Sequence, residues 1–103
     1  MAAKHVVGTI MKHDHRKVAV LESGLTLDGA DAVRIARIDS TRPKPADRAK
    51  AVEVETSIGV YWVRLDHVRV VKAADVVHTW TFTGKLNREQ LNLVRKELDK
   101  VSK

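Results

Sequence analysis

The clearest hydrophobic pattern lies at the C-terminal end of the chain, where apolar residues recur every three or four positions. These residues are Leu91, Val94, Leu98 and Val101. Such spacing places them on one face of an α-helix. Asn87 is a favourable N-cap residue, and Gln90 follows at the position of a capping-box partner. The pattern predicts an amphipathic helix over about residues 87–101, with its apolar face packed on the rest of the protein.

The preceding chain shows the shorter period of β-strands. Valine, isoleucine, leucine and aromatic residues form alternating or continuous short runs, which favour strands. The predicted strands are residues 6–11, 17–22, 32–39, 51–55, 61–71 and 76–82. The predicted turns are residues 12–16, Ser23-Gly24, Asp28-Gly29 and 57–59, with a short helical turn at 73–75. Asp28-Gly29 suits a tight hairpin because glycine accepts a positive φ angle.

Residues 40–50 contain both prolines of the chain and four basic residues. Proline cannot donate a hydrogen bond to a central β-ladder, so this segment is predicted to be an exposed loop. Short connections between the strands favour antiparallel pairing, and the helix must cover its apolar face against the sheet. The expected fold is therefore mainly β, a small curved antiparallel sheet or partly open barrel with a C-terminal helix. We expect one domain over residues 1–103.

Composition narrows the function. The formal net charge of +6 favours phosphate-bearing partners, since binding them releases counterions. Cysteine is absent, which excludes disulfides, cysteine-bound metal and thiol catalysis. No apolar run approaches the ~18 residues that span a membrane, and the N-terminal residues lack the apolar segment of a secretion signal. We therefore expect a soluble cytoplasmic protein with no membrane partner.

The predicted strand 61–71 carries the most distinctive charges. Residues two apart share one face of a strand, so Arg64 and Asp66 should be neighbours beside Trp62. A guanidinium group binds phosphate, and a nearby carboxylate can accept a proton. The same two residues also fit a plain surface ion pair, worth at most about 1 kcal/mol. Spacing alone leaves both interpretations open.

Several segments together resemble a known family. The run V-R-L-D-H-V-R at 63–69, followed by G-K-L-N-R-E-Q-L-N-L-V-R-K-E-L at 84–98, is similar to the end of MazF/PemK/Kid toxins. The runs R-K-V-A-V-L-E-S at 16–23 and V-R-I-A-R-I-D-S-T at 33–41 resemble two of their strands. The resemblance extends in order over about residues 8–101. These toxins are the ribonuclease partners of type II toxin–antitoxin pairs.

The resemblance implies an SH3-like barrel with a C-terminal helix, usually a homodimer, that cleaves single-stranded RNA without metal or other cofactor. It implies that Asp66 helps to remove the 2′-hydroxyl proton and that Arg64 stabilises charge on the phosphate. An antitoxin protein would be a further partner. The first loop departs from the family, because it is shorter and lacks the usual Arg-Pro pair. The alternatives are a non-catalytic barrel that binds nucleic acid or protein, and, by fold analogy, a CcdB-like gyrase inhibitor.

Loop and strand-edge residues supply the remaining candidates. Imidazole, cationic and hydroxyl side chains are the groups that would contact nucleic acid. The candidate nucleic-acid-binding residues are His13, His15, Arg16, Lys17, Ser40, Thr41, Arg42, Lys44, Arg48, Ser57 and Arg69. His13 and His15 have no third ligand near them in sequence, so we expect no metal. Trp62, Trp80, Tyr61 and Phe82 fit either the core or base stacking.

Overall fold

Six strands, two α-helices and a short 3-10 helix make up the part of the chain that the structure describes. The computed structural model describes residues 7–56 and 58–101. The elements in chain order are β1 (Thr9–His13), β2 (Arg16–Leu27), β3 (Ala30–Asp39), a 3-10 helix (Pro45–Lys50), β4 (Ala51–Thr56), β5 (Gly59–Lys72), α1 (Ala73–Thr79), β6 (Thr81–Lys85) and α2 (Arg88–Val101).

All strands pair antiparallel in one sheet of order β4-β5-β3-β2-β1-β6. The sheet curls into a half-barrel with a C-terminal helix, which confirms the predicted fold class. The tip of the β4–β5 hairpin approaches β6 across the curl. A Cβ added to Gly84 would lie 3.2 Å from the side chain of Ile58, which is a tight contact, so a larger residue here would push Ile58 aside.

Both faces of the sheet are covered. One cluster of buried residues includes Ile10, Ala19 and Val63, and it meets α2 through Val94. A second cluster includes Val18, Val20 and Ile35, and it meets α1 through Val76. Neighbours on a strand point to opposite faces, so two covered faces require a continuous apolar run. This explains why residues 18–21 are all apolar and all buried.

Helix α2 is formed and docked as predicted. The Asn87 side chain accepts a hydrogen bond from the Gln90 backbone N–H at 2.8 Å, and the Gln90 side chain accepts one from Asn87 N–H at 2.9 Å. This reciprocal pair is a capping box. Leu91, Val94 and Leu98 pack against the first cluster. The helix is also tied to the sheet by polar bonds, because Gln90 donates to the Glu55 carbonyl and Arg95 donates to the Leu21 carbonyl at 2.8 Å.

Ser23-Gly24 and Asp28-Gly29, the two turn signals predicted after residue 22, differ in their structures. Asp28-Gly29 forms the predicted hairpin turn, with φ angles of 52° and 78° between the paired residues Leu27 and Ala30. The turn predicted at Ser23-Gly24 is wrong, because β2 continues through it. The ladder with β3 shifts register on both sides of Glu22, and Gly24 takes a φ of 77° within this irregular part of the strand. A bulge therefore uses the glycine that suggested a turn.

The strand predicted at 76–82 is also wrong. Residues 73–79 form α1, and β6 begins only at Thr81. Val76 is fully buried in the second cluster, and Ala73 and Trp80 pack beside it. Covering that face of the sheet favours a helix despite the β-branched sequence, since strand propensity depends strongly on context. The short helical turn predicted at 73–75 is the start of this longer helix.

The segment 40–50 is not wholly an exposed loop. Pro43 is buried, and Pro45–Lys50 form a 3-10 helix with proline at its first turn, where the missing N–H costs nothing. The Nε atom of Arg48 donates to the Pro43 carbonyl at 3.3 Å. At the earlier boundary, β1 extends to His13, so the predicted turn 12–16 shortens to residues 14–15. Val6 and Ser57, part of a predicted strand and turn, lie outside the described residues. Within the described ranges, no helix is long and apolar enough to cross a membrane.

Candidate nucleic-acid interface

A chain of alternating charges crosses from β3 to β5. The Nε atom of Arg37 donates to Asp39 Oδ1 at 2.8 Å, and Arg64 Nη1 donates to Asp39 Oδ2 at 3.3 Å. Arg64 also donates through Nε to Asp66 Oδ1 at 3.1 Å and through Nη2 to Asp66 Oδ2 at 2.9 Å. The chain ends where His67 Nε2 lies 3.7 Å from Asp66 Oδ2. The predicted neighbourhood of Arg64 and Asp66 is confirmed.

Strand alternation and register place this chain of charges. Tyr61, Val63 and Leu65 point into the first cluster, so Arg64 and Asp66 point to the opposite face. Asp39 of β3 is paired with Trp62, which brings its carboxylate beside Arg64. The side chain of Arg64 is 14% exposed between the two carboxylates. The Arg64–Asp66 pair is therefore half enclosed rather than a loose surface contact.

The pairing of β3 with β5 is irregular at residues 64–67. Ala36 pairs with Val68 and Ile38 pairs with Val63, so β5 holds extra residues opposite Arg37. Alternation alone predicts Val68 on the face of Asp66, and that prediction is wrong, because Val68 packs against the first cluster. The extra length of β5 turns the chain at residues 64–67. Irregularities of this kind re-aim side chains, here those of Asp66 and His67.

The ion pair between Arg64 and Asp66 shifts the pKa of each residue in the direction that favours its charged form. Hydrogen bonding to Asp66 raises the pKa of Arg64, and burial opposes this rise. Asp39 also raises the pKa of Arg64. Burial alone would raise the pKa of Asp66. The hydrogen bond from Arg64, a bond from the Asp66 backbone and the nearby positive charges outweigh it, so the pKa of Asp66 is lowered. Asp66 is thus held as a carboxylate.

A groove runs beside the charged chain on the face of the sheet that carries α1. Its larger part is a cavity of about 670 Å³ that contains Asp66, His67 and Trp80. The smaller part, about 220 Å³, continues from it past Asp39 to Tyr61. Imidazole and cationic side chains dominate the polar lining. They are His15, Arg16, Lys17, Arg37, His67 and Arg69.

The groove brings together part of the predicted nucleic-acid-binding set. His15, Arg16, Lys17 and Arg69 line the larger cavity, and Ser40 and Thr41 line the smaller one. Four further candidates line neither cavity: His13, Arg42, Lys44 and Arg48. Ser57 lies outside the described residues. The predicted set is therefore divided among the groove, the segment 42–50 and His13 at the end of β1.

Aromatic rings lie beside several of these basic side chains. Lys17 Nζ is 5.3 Å from the centre of the Tyr61 ring, and the Arg42 guanidinium is 5.9 Å from that of Trp62. Both distances are within the range of cation–π attraction. The ring of His13 lies 5.5 Å from that of Trp80 with a tilt of 59°. Tyr61 is a buried core residue, whereas Trp80 is half-buried and lines the groove.

Sequence reasoning missed Arg37, Asp39 and His67 as groove-lining groups, and it left Trp80 open between the core and base stacking. One signal was present, because Arg37 interrupts the apolar alternation of its strand. Asp39 offered no such signal, since its importance comes from its pairing across to β5.

Among the described residues, no three histidine, cysteine, aspartate or glutamate side chains lie together as metal ligands would. Comparison with protein-family models, with curated proteins and with solved structures gives no match for this chain.

Proposed function

We propose that this protein binds single-stranded RNA in the groove and cleaves it without metal, as the MazF/PemK/Kid toxins that its sequence resembles do. The observation that carries the proposal is the position of the Asp66 carboxylate. The carboxylate lines a groove whose other polar side chains are mostly cations and imidazoles, and Arg64 holds it with a two-pronged hydrogen bond. RNA cleavage by the 2′-hydroxyl requires phosphate-binding cations beside groups that transfer protons, and Asp66 with its neighbours places both kinds of group in one groove.

The groove supplies the means of binding. Arg16, Lys17, Arg37 and Arg69 line it, and each can neutralise one phosphate of an extended strand. Trp80 at its wall offers a surface on which one base can stack. Ser40 and Thr41 at the narrower end add hydroxyl donors. Stacking and phosphate contacts together suit a single strand, whose bases are free to leave their neighbours.

The role that we propose for Arg64 differs from the one that the resemblance implies, which is stabilisation of charge on the phosphate. Its guanidinium is 14% exposed, bonds both Asp39 and Asp66, and is not among the groups lining the groove. We assign it to holding Asp66, and we assign stabilisation of charge on the phosphate to Arg37 and Arg69. Preorganised cations aimed at developing charge commonly supply the largest part of catalysis.

The same contacts favour one second candidate, a barrel that binds nucleic acid without cleaving it. Each of the three guanidinium nitrogens of Arg64 donates a hydrogen bond to a carboxylate, and a purely structural ion pair would have the same arrangement. In that case the groove would bind RNA through its cations alone.

Incubation of the purified protein with a long single-stranded RNA in EDTA separates these functions. Cleavage at fixed sequences supports the nuclease. Intact RNA with a mobility shift supports the binding protein. Intact RNA without a shift, together with inhibited DNA supercoiling, would instead indicate a gyrase inhibitor.

Two variants locate the RNA in the binding assay. Arg69→Gln removes a cation from the groove, and Lys96→Gln removes an exposed cation from α2. We expect only Arg69→Gln to weaken RNA binding and to reduce its salt dependence. Equal effects of the two variants would mean that RNA binds by net charge rather than in the groove.

The partners follow from the proposed class. We propose a cytoplasmic homodimer that an antitoxin protein neutralises. The apolar side chains open to a partner lie at the edge of the sheet, because Val76 and Trp80 pack within their own chain. Phe82 on the edge strand β6 is 60% exposed, and Ile58 and Val60 are exposed as well. Edge strands with exposed apolar residues are common sites of association.

A further inference from the structure

RNA cleavage by the 2′-hydroxyl needs two proton transfers, and the geometry of Asp66 makes it poorly suited to either one. Both of its oxygens accept hydrogen bonds from Arg64, at 3.1 and 2.9 Å. A carboxylate held in this way has less capacity to take a proton from substrate. Efficient general bases and acids also titrate near the working pH. The groups lining the groove that ordinarily titrate there are histidines.

Two histidines line the larger cavity. His67 follows Asp66 on β5, is 48% exposed, and has Nε2 3.7 Å from Asp66 Oδ2. His15 is exposed at the turn between β1 and β2. Strand β3 lies between β5 and β2, so the two imidazoles reach the cavity from strands about 10 Å apart, two interstrand spacings. A phosphodiester in the cavity would lie between them.

We propose that His67 and His15 are the acid–base pair of this site, and that Asp66 acts by positioning His67. This proposal rests on the proposed ribonuclease function. It deepens that function by assigning both proton transfers to imidazoles and by giving the Arg64–Asp66 pair a supporting role.

The reaction balances with these two groups. The negative charge of Asp66, 3.7 Å from His67 Nε2, favours the tautomer with its proton on Nε2, so that Nδ1 accepts the proton of the 2′-hydroxyl. The 2′-oxygen then forms a bond to phosphorus, and the bond from phosphorus to the 5′-oxygen breaks. The leaving 5′-oxygen keeps the electron pair and takes a proton from protonated His15. The products are a 2′,3′-cyclic phosphate and a 5′-hydroxyl, and exchange with water restores both histidines.

The charges around the pair come from three strands. Those facing the cavity are Asp66 and Arg69 from β5, Arg37 and Asp39 from β3, and Arg16 and Lys17 from β2. Asp66 is the acidic group beside His67, with its Oδ2 atom 3.7 Å from His67 Nε2.

The pH dependence of cleavage tests the pair. We expect kcat/KM of the wild-type protein to follow a bell-shaped curve with both limbs between about pH 5 and 8, because one imidazole must be neutral and the other protonated. His67→Gln should lower kcat/KM by roughly 10²–10⁴-fold and remove the acidic limb, and His15→Gln should remove the alkaline limb. Imidazole added to the buffer should restore part of the activity of His67→Ala.

The outcomes separate the pair from the nuclease itself. Wild-type cleavage that stays constant from pH 8 down to about pH 5 would overturn the pair, since a carboxylate base would then suffice. Cleavage by His67→Gln within threefold of the wild-type rate would overturn it as well. If the wild-type protein leaves RNA intact at every pH, the proposed function fails, and the pair fails with it.

Discussion

Arg64 donates two hydrogen bonds to Asp66, which lies two residues further along the same strand. Nε donates to Oδ1 at 3.1 Å and Nη2 donates to Oδ2 at 2.9 Å. A fork of this kind fixes both the distance and the plane of the carboxylate. The remaining guanidinium nitrogen, Nη1, donates to Asp39 Oδ2 on the neighbouring strand at 3.3 Å. The carboxylate that faces the groove is therefore held in one orientation before any substrate arrives.

Asp66→Asn should slow RNA cleavage by about 10²-fold, the order expected when a group that positions a catalytic side chain is lost. The amide keeps the size of the side chain but loses the charge, so it can neither pair with Arg64 nor support His67. Single-turnover cleavage rates measure the effect. Asp99→Asn, an exposed carboxylate on α2, is the matched control and should cleave at the wild-type rate. A variant Asp66→Asn that also cleaves at the wild-type rate would remove this residue from the reaction.

The lowered pKa of Asp66 predicts how stability changes in acid. The folded state favours the charged carboxylate, so its contribution is complete above the ordinary aspartate pKa of about 4 and is lost as pH falls through the lowered value. Chemical unfolding between about pH 6 and pH 2 measures this. We expect the free energy of unfolding of Asp66→Asn to fall less steeply than that of the wild-type protein. Parallel slopes would mean that the ion pair does not favour the folded state.

The docking of α2 has a sharp test because the helix carries leucines on both faces. Leu98 packs against the first cluster, whereas Leu93 is 44% exposed. Leu98→Ala should destabilise the protein by about 2 kcal/mol, at the low end for a leucine that is only partly buried. Leu93→Ala should change stability by less than about 0.5 kcal/mol. Urea unfolding midpoints decide between them, and equal midpoints for the two variants would contradict the docking.

The sequence predicted α2 because its signals are local. The apolar spacing and the capping box of Asn87 and Gln90 require nothing from the rest of the chain. The approach of Arg64 to Asp66 was predictable for the same reason, since alternation along one strand places them together. The hairpin at Asp28-Gly29 likewise depends on two adjacent residues.

The groove was not predictable in this way. It depends on the register that sets Asp39 beside Trp62 and on the extra length of β5 opposite Arg37. Helix α1 was missed for a related reason. Val76 suits a strand by its own propensity, and its place in a helix is decided by burial against a second face of the sheet. Interactions between distant parts of the chain thus determine the site, whereas local ones determine the helix that closes the fold.

Association can be tested on the exposed edge of the sheet. We expect the wild-type protein to sediment at equilibrium with about twice the 11.5 kDa mass of one chain at micromolar concentration. Phe82→Lys should give a monomer, because it puts a charge at the most exposed large apolar side chain in the described residues. Leu93→Lys, on exposed α2 surface, should remain dimeric. A wild-type monomer would remove the dimer from this account.

If the groove cuts RNA, the chemical nature of the new ends will show it. A long single-stranded RNA is incubated in EDTA with the wild-type protein and, separately, with Asp66→Asn, and the new ends are mapped and typed. We expect the wild-type protein to cut at a fixed sequence and to leave a 2′,3′-cyclic phosphate and a 5′-hydroxyl at each cut, and we expect Asp66→Asn to be strongly impaired. Intact RNA with the wild-type protein, or equal cutting by both proteins, would contradict this expectation.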